Sequence, residues 1–239
     1  DITVTITDID DVAPVFTSNA MFSAAENQTS IGTVTATDTD TDDSSIVFSV
    51  SGSELAITSG GVLTFASAPD YETKTTYTAT VTASDGTNTT NQNITVNVTN
   101  VNDNSPSFTS SATFSAAENQ TAIGTVTATD ADGDAISYSL SGTDASSMSI
   151  NSSSGVLTFN SAPDYKTKSS YSVIVTASDG TNSSTQNITV NLTNLNDNTP
   201  SITSSATFSA AENQTAIGTV TATDITSVTF TVSGTELSI

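Results

Sequence analysis

Glu26, Asp70 and Glu72 are followed in this chain by Asn100, Asn102, Asp103 and Asn104, and these by Asp130, Asp132 and Asp179. All of them offer oxygen, as a carboxylate, an amide carbonyl or a backbone carbonyl. A hard cation such as calcium gathers roughly six to eight such oxygens at about 2.3–2.6 Å. The requirement is convergence from several loops, and the spacing meets it. Glu26 ends the first strand of one unit, and Asp70 and Glu72 lie in its Asp-Tyr-Glu segment. The Asn/Asp run is a linker. Asp130 and Asp132 follow the second strand of the next unit and Asp179 follows its sixth, so antiparallel alternation brings these two loops to one end. An EF-hand is excluded. Asp130-x-Asp132-x-Asp134 begins like one, but Ala135 replaces the turn glycine and Ser141 stands where the bidentate Glu belongs.

The whole pattern recurs. Ser-Ala-Ala-Glu-Asn-Gln-Thr begins at Ser23, Ser115 and Ser209, and Gly-Thr-Val-Thr-Ala-Thr-Asp at Gly32, Gly124 and Gly218. The period is about 90 residues, a domain rather than a solenoid rung of roughly 20–50. The reading is therefore a final strand and linker (1–12), two full units (13–104 and 105–198) and the start of another (199–239). Ile2-Thr3-Val4-Thr5 matches Ile94-Thr95-Val96-Asn97, and Glu236-Leu237-Ser238-Ile239 matches Glu54-Leu55-Ala56-Ile57. The chain is thus expected to continue through further repeats in both directions.

Composition sets limits. The 239 residues include no Cys or His and carry a formal net charge of -22, against which stand only Lys74, Lys166 and Lys168. Disulfides and thiolate metal sites are impossible. Nucleic acid and anionic membranes are repelled, and cations are attracted. No secretory signal or membrane-spanning run is visible.

The elements that position the acids read as strands. Ile188, Val190 and Leu192 alternate with Thr189, Asn191 and Thr193, and Tyr171, Val173 and Val175 alternate likewise. Seven strand segments are predicted in the second unit: 107–116, 124–129, 135–141, 148–151, 155–159, 170–177 and 184–194. Turn signals such as Asp132-Gly133-Asp134 and Asp179-Gly180 separate them. One-sided alternation implies two facing sheets. The predicted fold class is all-β: tandem seven-stranded Greek-key β-sandwiches of immunoglobulin-like architecture, arranged end to end. Phe114, Val126, Tyr138, Leu140, Leu157, Phe159 and Val175 are its expected core, and Phe65 joins Phe159 as core rather than ligand contact.

Ala-Glu-Asn, Thr-Ala-Thr-Asp-Ala-Asp, Asp-Tyr-Glu, Ala-Ser-Asp and Asn-Asp-Asn-x-Pro, in this order and spacing, resemble cadherin extracellular repeats over essentially the whole chain. The resemblance implies calcium at each interdomain junction, typically three ions. It assigns Glu26, Asp70, Glu72, Asn100, Asp103 and Asp132 to the inner ions. Asn102, Asp130, Asp132 and Asp179 serve the outer one, with the Asn104 backbone carbonyl. The second junction keeps Glu118, Asp164, Asn196, Asp197, Asn198 and Asp224, but Lys166 replaces Glu72 and Thr226 replaces Asp132. Those positions bridge neighbouring ions in the family pattern, so at most one or two ions are expected there. At the leading edge Asp8, Asp10, Asp11, Asp38, Asp40 and Asp85 form half a site, with Val12 in place of the last Asn.

The chain has no Trp, so adhesion by exchange of a Trp-anchored strand does not transfer. The near-identical repeats and the Ser/Thr/Asn bias look most like long bacterial surface proteins with cadherin-like repeats. The leading functional expectation is a calcium-rigidified extracellular stalk or filament of a cell-surface adhesin or fibre. Its partners would be copies of itself or cell-surface protein or glycan ligands. The alternative is a spacer or accessory module of a secreted multidomain enzyme. Catalysis by Asp70 and Glu72 as a glycosidase-like pair is set aside, because both acids are accounted for as ligands. The chain itself is read as no enzyme.

Overall fold

The computed structural model describes residues 2–5, 9–40, 45–224 and 227–234. It divides into two compact units. One comprises residues 1–109, 128–137 and 177–184, and the other 110–127, 138–176 and 185–239. The loops carrying Asp130, Asp132 and Asp179 therefore cluster with the first repeat and its linker.

The first repeat contains β1 (Val15–Phe16), β2 (Met21–Ala25), β3 (Ser30–Thr33), β4 (Ala36–Thr37), β5 (Val47–Val50), β6 (Leu55–Ile57), β7 (Val62–Phe65), β8 (Thr76–Ser84) and β9 (Thr89–Thr99). One sheet has the order β2-β9-β8-β5 and another β3-β7-β6, with β1 paired to β4. β2 runs parallel to β9 in the register Met21↔Thr95 to Ala25↔Thr99, and the other pairs are antiparallel. Period-two alternation drives the packing. Val81, Ile94, Val96 and Val98 from β8 and β9 meet Leu55, Leu63 and Phe65 from β6 and β7, with Ala24 and Val34, in one buried cluster. Each such aliphatic side chain contributes roughly 1.5–3 kcal/mol on burial. Gly61 closes the turn before β7 at φ 86°, where a Cβ would lie 2.2 Å from the Val34 carbonyl.

The second repeat contains β10 (Ser107–Phe108), β11 (Thr113–Ala117), β12 (Ala122–Thr125), β13 (Ala128–Thr129), β14 (Ser137–Ser141), β15 (Met148–Ile150), β16 (Val156–Phe159), β17 (Ser170–Ser178) and β18 (Ser183–Thr193). Its sheets, β11-β18-β17-β14 and β12-β16-β15, repeat the first topology. Every predicted segment holds a strand, and two are interrupted. The first divides because β10 pairs with β13 while β11 pairs in parallel with β18. Between them the Ser111 hydroxyl accepts the Thr113 N–H at 3.0 Å, bending the chain. The second divides at Val126, whose N–H donates to Gly155 rather than to a ladder partner. A 3₁₀ turn, Ala145–Ser147, precedes β15. Val126, Tyr138, Leu157, Phe159 and Val175 are buried as expected, whereas Phe114 and Leu140 are half-buried. The described part of the remaining segment forms only β19 (Ser201–Ile202) paired with β20 (Ala222–Thr223).

Candidate metal centre

The Ala-Glu-Asn motif ends β2 in a way its residues dictate. Asn27 sits at φ 62°, a left-handed conformation that Asn tolerates better than most side chains. The reversal lets its N–H reach the Pro69 carbonyl and turns Glu26 inward, where it is 3 % exposed. One Glu26 carboxylate oxygen accepts from Tyr71 N–H at 2.7 Å and the other from Val101 N–H at 2.8 Å. Glu26 thereby pins the Asp-Tyr-Glu segment and the linker to the base of the first repeat. The Asn27 amide donates to Asp103 at 2.5 Å, aligning the linker acid.

Four acids converge there. Carboxylate oxygens of Glu26, Glu72, Asp103 and Asp132 all lie within 4.8 Å of one another. They come from the base of the first repeat, the linker and the Asp130–Asp134 loop, and all belong to one compact unit. Partial desolvation raises the Glu72 pKa above the usual carboxylate range, and contact with Asp132 and the charge of Glu26 add to it. Desolvation works in the same direction on Asp132. There the Asn104 and Asp103 amides and the Asn104 side chain outweigh it and hold the acid low. Close carboxylates with one reluctant to ionise mark a surplus of negative charge. Asn100 joins this network by donating to the Asp132 carbonyl at 2.9 Å. Asp70 lies outside the four-acid group. Its carboxylate caps its own turn, accepting from Glu72 N–H, Thr73 N–H and the Thr73 hydroxyl.

A second convergence lies beside it. Asp179 accepts from Thr181 and Asn182 N–H through one oxygen, and Asp130 from Asp132 and Asp134 N–H through one oxygen. The other oxygen of each is shielded from solvent and has no hydrogen-bond donor. The Asn182 amide donates to the Asn102 side-chain and the Asn104 backbone carbonyl at 3.0 and 3.2 Å. Asp130, Asp132 and Asp134 also bring carboxylate oxygens within 4.8 Å of one another. Oxygen-only donors, with acceptor lone pairs left over inside the surface, fit a hard cation such as calcium.

The leading edge repeats this geometry. Asp40 accepts from Asp11 and Val12 N–H, both at 2.9 Å, and Asp38 from Asp40 N–H. Asn88 donates to the Asp10 side chain and the Val12 carbonyl. Asp40 and Asp85 each keep one buried oxygen without a donor. Asp8 falls outside the described residues.

The end of the second repeat differs. Glu118, 1 % exposed, accepts from Tyr165 and Leu195 N–H as Glu26 does from its partners. In its preferred amide orientation Asn194 donates to Glu118 as well. Both Asp197 oxygens accept from amides, those of Asn119 and Asn198. Asp164 accepts from Lys166 N–H and the Thr167 hydroxyl. Among the described residues no three acids converge here. Asn196 and Asp224 are described but join no such group, and Thr226 lies outside the described residues.

The sequence reading missed Asn27, Asn88, Asn119, Asn182, Asn194 and Asp134. Asn88 and Asn182 carried a readable signal, since each stands three residues after an acid of the Ala-Ser-Asp motif in both repeats. Among the described residues no helix is long and apolar enough to cross a membrane.

Fold and site together define a tandem β-sandwich protein whose loop ends are lined with acids. The cadherin domain description matches residues 20–99 and 112–193, and the chain belongs to the cadherin family. Its repeats are of the extracellular adhesion type that this family comprises. No curated protein sequence matches it. Among solved structures, mouse cadherin-23 EC22-24 is similar at TM-score 0.69 and 23% identity, over 89% of this chain and 78% of that one. The protocadherin GammaB4 extracellular domain is similar at TM-score 0.65 and 26% identity, over 82% of this chain and 35% of that one. Human protocadherin-24 EC1-2 is similar at TM-score 0.64 and 23% identity, over 77% and 100%.

Proposed function

We propose that this chain is a calcium-binding, calcium-stiffened segment of an extracellular stalk or filament in a cell-surface adhesin or fibre. One observation carries the reading. Carboxylates from the base of one repeat, the linker and a loop of the next repeat converge within 4.8 Å. Glu26, Glu72, Asp103 and Asp132 would hold the inner ions, with Asp70 and Asn100 at their margin. Asn102, the Asn104 carbonyl, Asp130 and Asp179 would hold the outer one. At the leading edge Asp10, Asp11, Asp38, Asp40 and Asp85 would act likewise, together with Asp8. At the second end Glu118, Asp164, Asn196, Asp197, Asn198 and Asp224 would hold fewer. Bound calcium supplies positive charge shared by oxygens on both sides of a linker, and so couples repeats that would otherwise move independently. Repeat boundaries at 13–104 and 105–198 fit this reading, because each places its acids at its ends. Other copies of the chain, or surface protein or glycan ligands, are its proposed partners.

Small-angle scattering of the chain in calcium and then in chelator tests the function. The expected result is a longer, narrower distance distribution in calcium. Superimposable curves under both conditions would count against it.

A further inference from the structure

We propose that a groove lined by hydroxyls and amides on the outer face of the first repeat binds an uncharged oligosaccharide. This rests on the partner reading above, which it narrows to one ligand class, and it needs no calcium. The groove has a volume of about 430 Å³ and lies over Ser51, Thr78–Thr80 and Asn93–Thr95, a size within the range of small-molecule sites. Val81 and Ile94 point into the core, so period-two alternation puts Thr78, Thr80, Asn93 and Thr95 on the opposite face. Across β8 and β9, Thr78 stands opposite Thr95 and Thr80 opposite Asn93. The edge strand β5 stops at this level. Val50 is its last ladder residue, and the Ser51 hydroxyl accepts the Thr80 N–H at 2.9 Å in place of a further carbonyl. Gly52 then turns the chain away at φ 82°, and the Thr/Asn face stays open beside the turn.

The polar groups of this face are already oriented. The Thr80 hydroxyl donates to the Asn93 side-chain oxygen at 2.8 Å, and Thr82 does the same to Asn91 at 2.7 Å. Each hydroxyl has thereby spent its hydrogen and keeps lone pairs, while each amide keeps its N–H donors. Asn91 and Asn93 are exposed. A donor and an acceptor fixed side by side match adjacent hydroxyls of a sugar ring, one accepting from the amide and the next donating to Thr80. Small-molecule sites are usually lined by apolar and aromatic side chains. A lining of hydroxyls and amides instead suits a ligand that is itself mostly hydroxyl. Charge selects further. The chain carries a net charge of -22, yet β2, β5, β8 and β9, which build this sheet, contain no charged residue. A neutral saccharide meets a neutral face, whereas an acidic one is repelled by the rest of the molecule.

The second repeat supplies the contrast. Ile174 stands at the place of Thr80, and Gly142 at that of Gly52. A Cβ on Gly142 would lie 3.4 Å from the Ile174 Cγ1, whereas one on Gly52 would meet nothing within 4 Å. The Ile174 side chain thus fills the space that is open beside Gly52. Asp144 accepts the Ser172 N–H at 2.8 Å, which brings a carboxylate to the strand position that Thr78 holds in the first repeat. Asn187, the counterpart of Asn93, faces an isoleucine where Asn93 has a hydroxyl. The oriented pair and the open space therefore belong to the first repeat.

Amide chemical shifts of the isotope-labelled full chain test this. The probes are three neutral oligomers, cellohexaose, maltohexaose and N-acetylated chitohexaose, with hexagalacturonate as the anionic comparison, each titrated in calcium and in chelator. The expected result is that at least one neutral oligomer shifts Thr78–Thr80 and Asn93–Thr95 equally under both conditions, while hexagalacturonate leaves them unmoved. Thr80→Val keeps the shape and the strand preference but removes the hydroxyl, and Asn93→Ala removes the amide. Each should weaken binding about tenfold. Thr80→Ile, which imports the second repeat's residue, should abolish it, and Asn187→Ala should leave it unchanged. No shift with any neutral oligomer would overturn the proposal, as would equal binding by Thr80→Val and Asn93→Ala or a loss that follows Asn187→Ala. Scattering that lengthens in calcium with no oligomer bound would overturn the groove and leave the stalk reading standing. Oligomer binding without a calcium response in scattering would support the groove alone.

Discussion

Glu26 and Glu118 occupy the same place in two nearly identical repeats, are equally buried and accept the same pair of backbone N–H groups. Their surroundings nevertheless differ. Around Glu26 the neighbours are acids close enough to repel, with Glu72 held above its ordinary pKa. Around Glu118 no three acids converge among the described residues, and Asp164 and Asp197 are held low, as Asp132 is at the Glu26 end. The buried Glu is thus a structural pin in both repeats. The residue that directly follows the Asp-Tyr pair is Glu72 beside one pin and Lys166 beside the other, an exchange of a carboxylate for an ammonium.

The largest effect should show what the two ends share. Glu26→Ala and Glu118→Ala each strand two backbone N–H groups, at about 1–3 kcal/mol for each group left unsatisfied. Both variants should melt well below wild type in chelator, by similar amounts. In calcium Glu26→Ala should also lose the larger part of the calcium-induced gain. A full calcium gain in Glu26→Ala would break the comparison.

Next comes the ion itself. A ligand held by the folded state alone adds about 2.7 kcal/mol at a hundredfold excess over its dissociation constant. Melting temperature should therefore rise with calcium and return in chelator. Magnesium should substitute poorly, because it demands octahedral geometry and retains water. Asp132→Asn should lower the calcium gain sharply, whereas Asp197→Asn should lower it less. Lys166→Glu combined with Thr226→Asp should enlarge the gain. Calorimetric melts report all of these.

A smaller effect follows from pH. The raised Glu72 pKa means that its ionised form is disfavoured by folding, so it destabilises the calcium-free chain once pH exceeds its ordinary value. The depressed Asp132, Asp164 and Asp197 stabilise above their ordinary values and lose that contribution as pH falls through their folded values. In chelator, acidification from neutrality should first raise stability slightly as Glu72 takes up a proton and then lower it as the aspartates follow. Glu72→Gln should remove the initial rise and increase stability in chelator. A monotonic fall in wild type would show that the carboxylate crowding is relieved in solution.

The smallest effect belongs to Asn182, whose amide braces Asn102 and Asn104. Asn182→Ala should cost about 0.5–1.5 kcal/mol per lost bond and weaken the outer ion site, as read by the calcium midpoint of the melt.

The fold was legible because period-two alternation leaves one solution for β9 and β18, with Ile94, Val96 and Val98 or Ile188, Val190 and Leu192 inward. The strand breaks at Ser110–Ala112 and at Val126 were not legible. They arise from which sheet each half joins, and that is a tertiary choice. The acids were legible from type and recurrence, and the Lys166 exchange stood out against them. The bracing amides were not, since Asn is abundant throughout this chain and only the folded loops show which of them reach a linker carbonyl or an acid.

Diffraction from crystals of the full chain grown in calcium tests the central claim most directly. The account predicts calcium density among Glu26, Glu72, Asp103 and Asp132 and between Asp130 and Asp179, with fewer ions beside Glu118, Asp164 and Asp197. Equal density at both ends of the second repeat, or none beside Glu72, would contradict it.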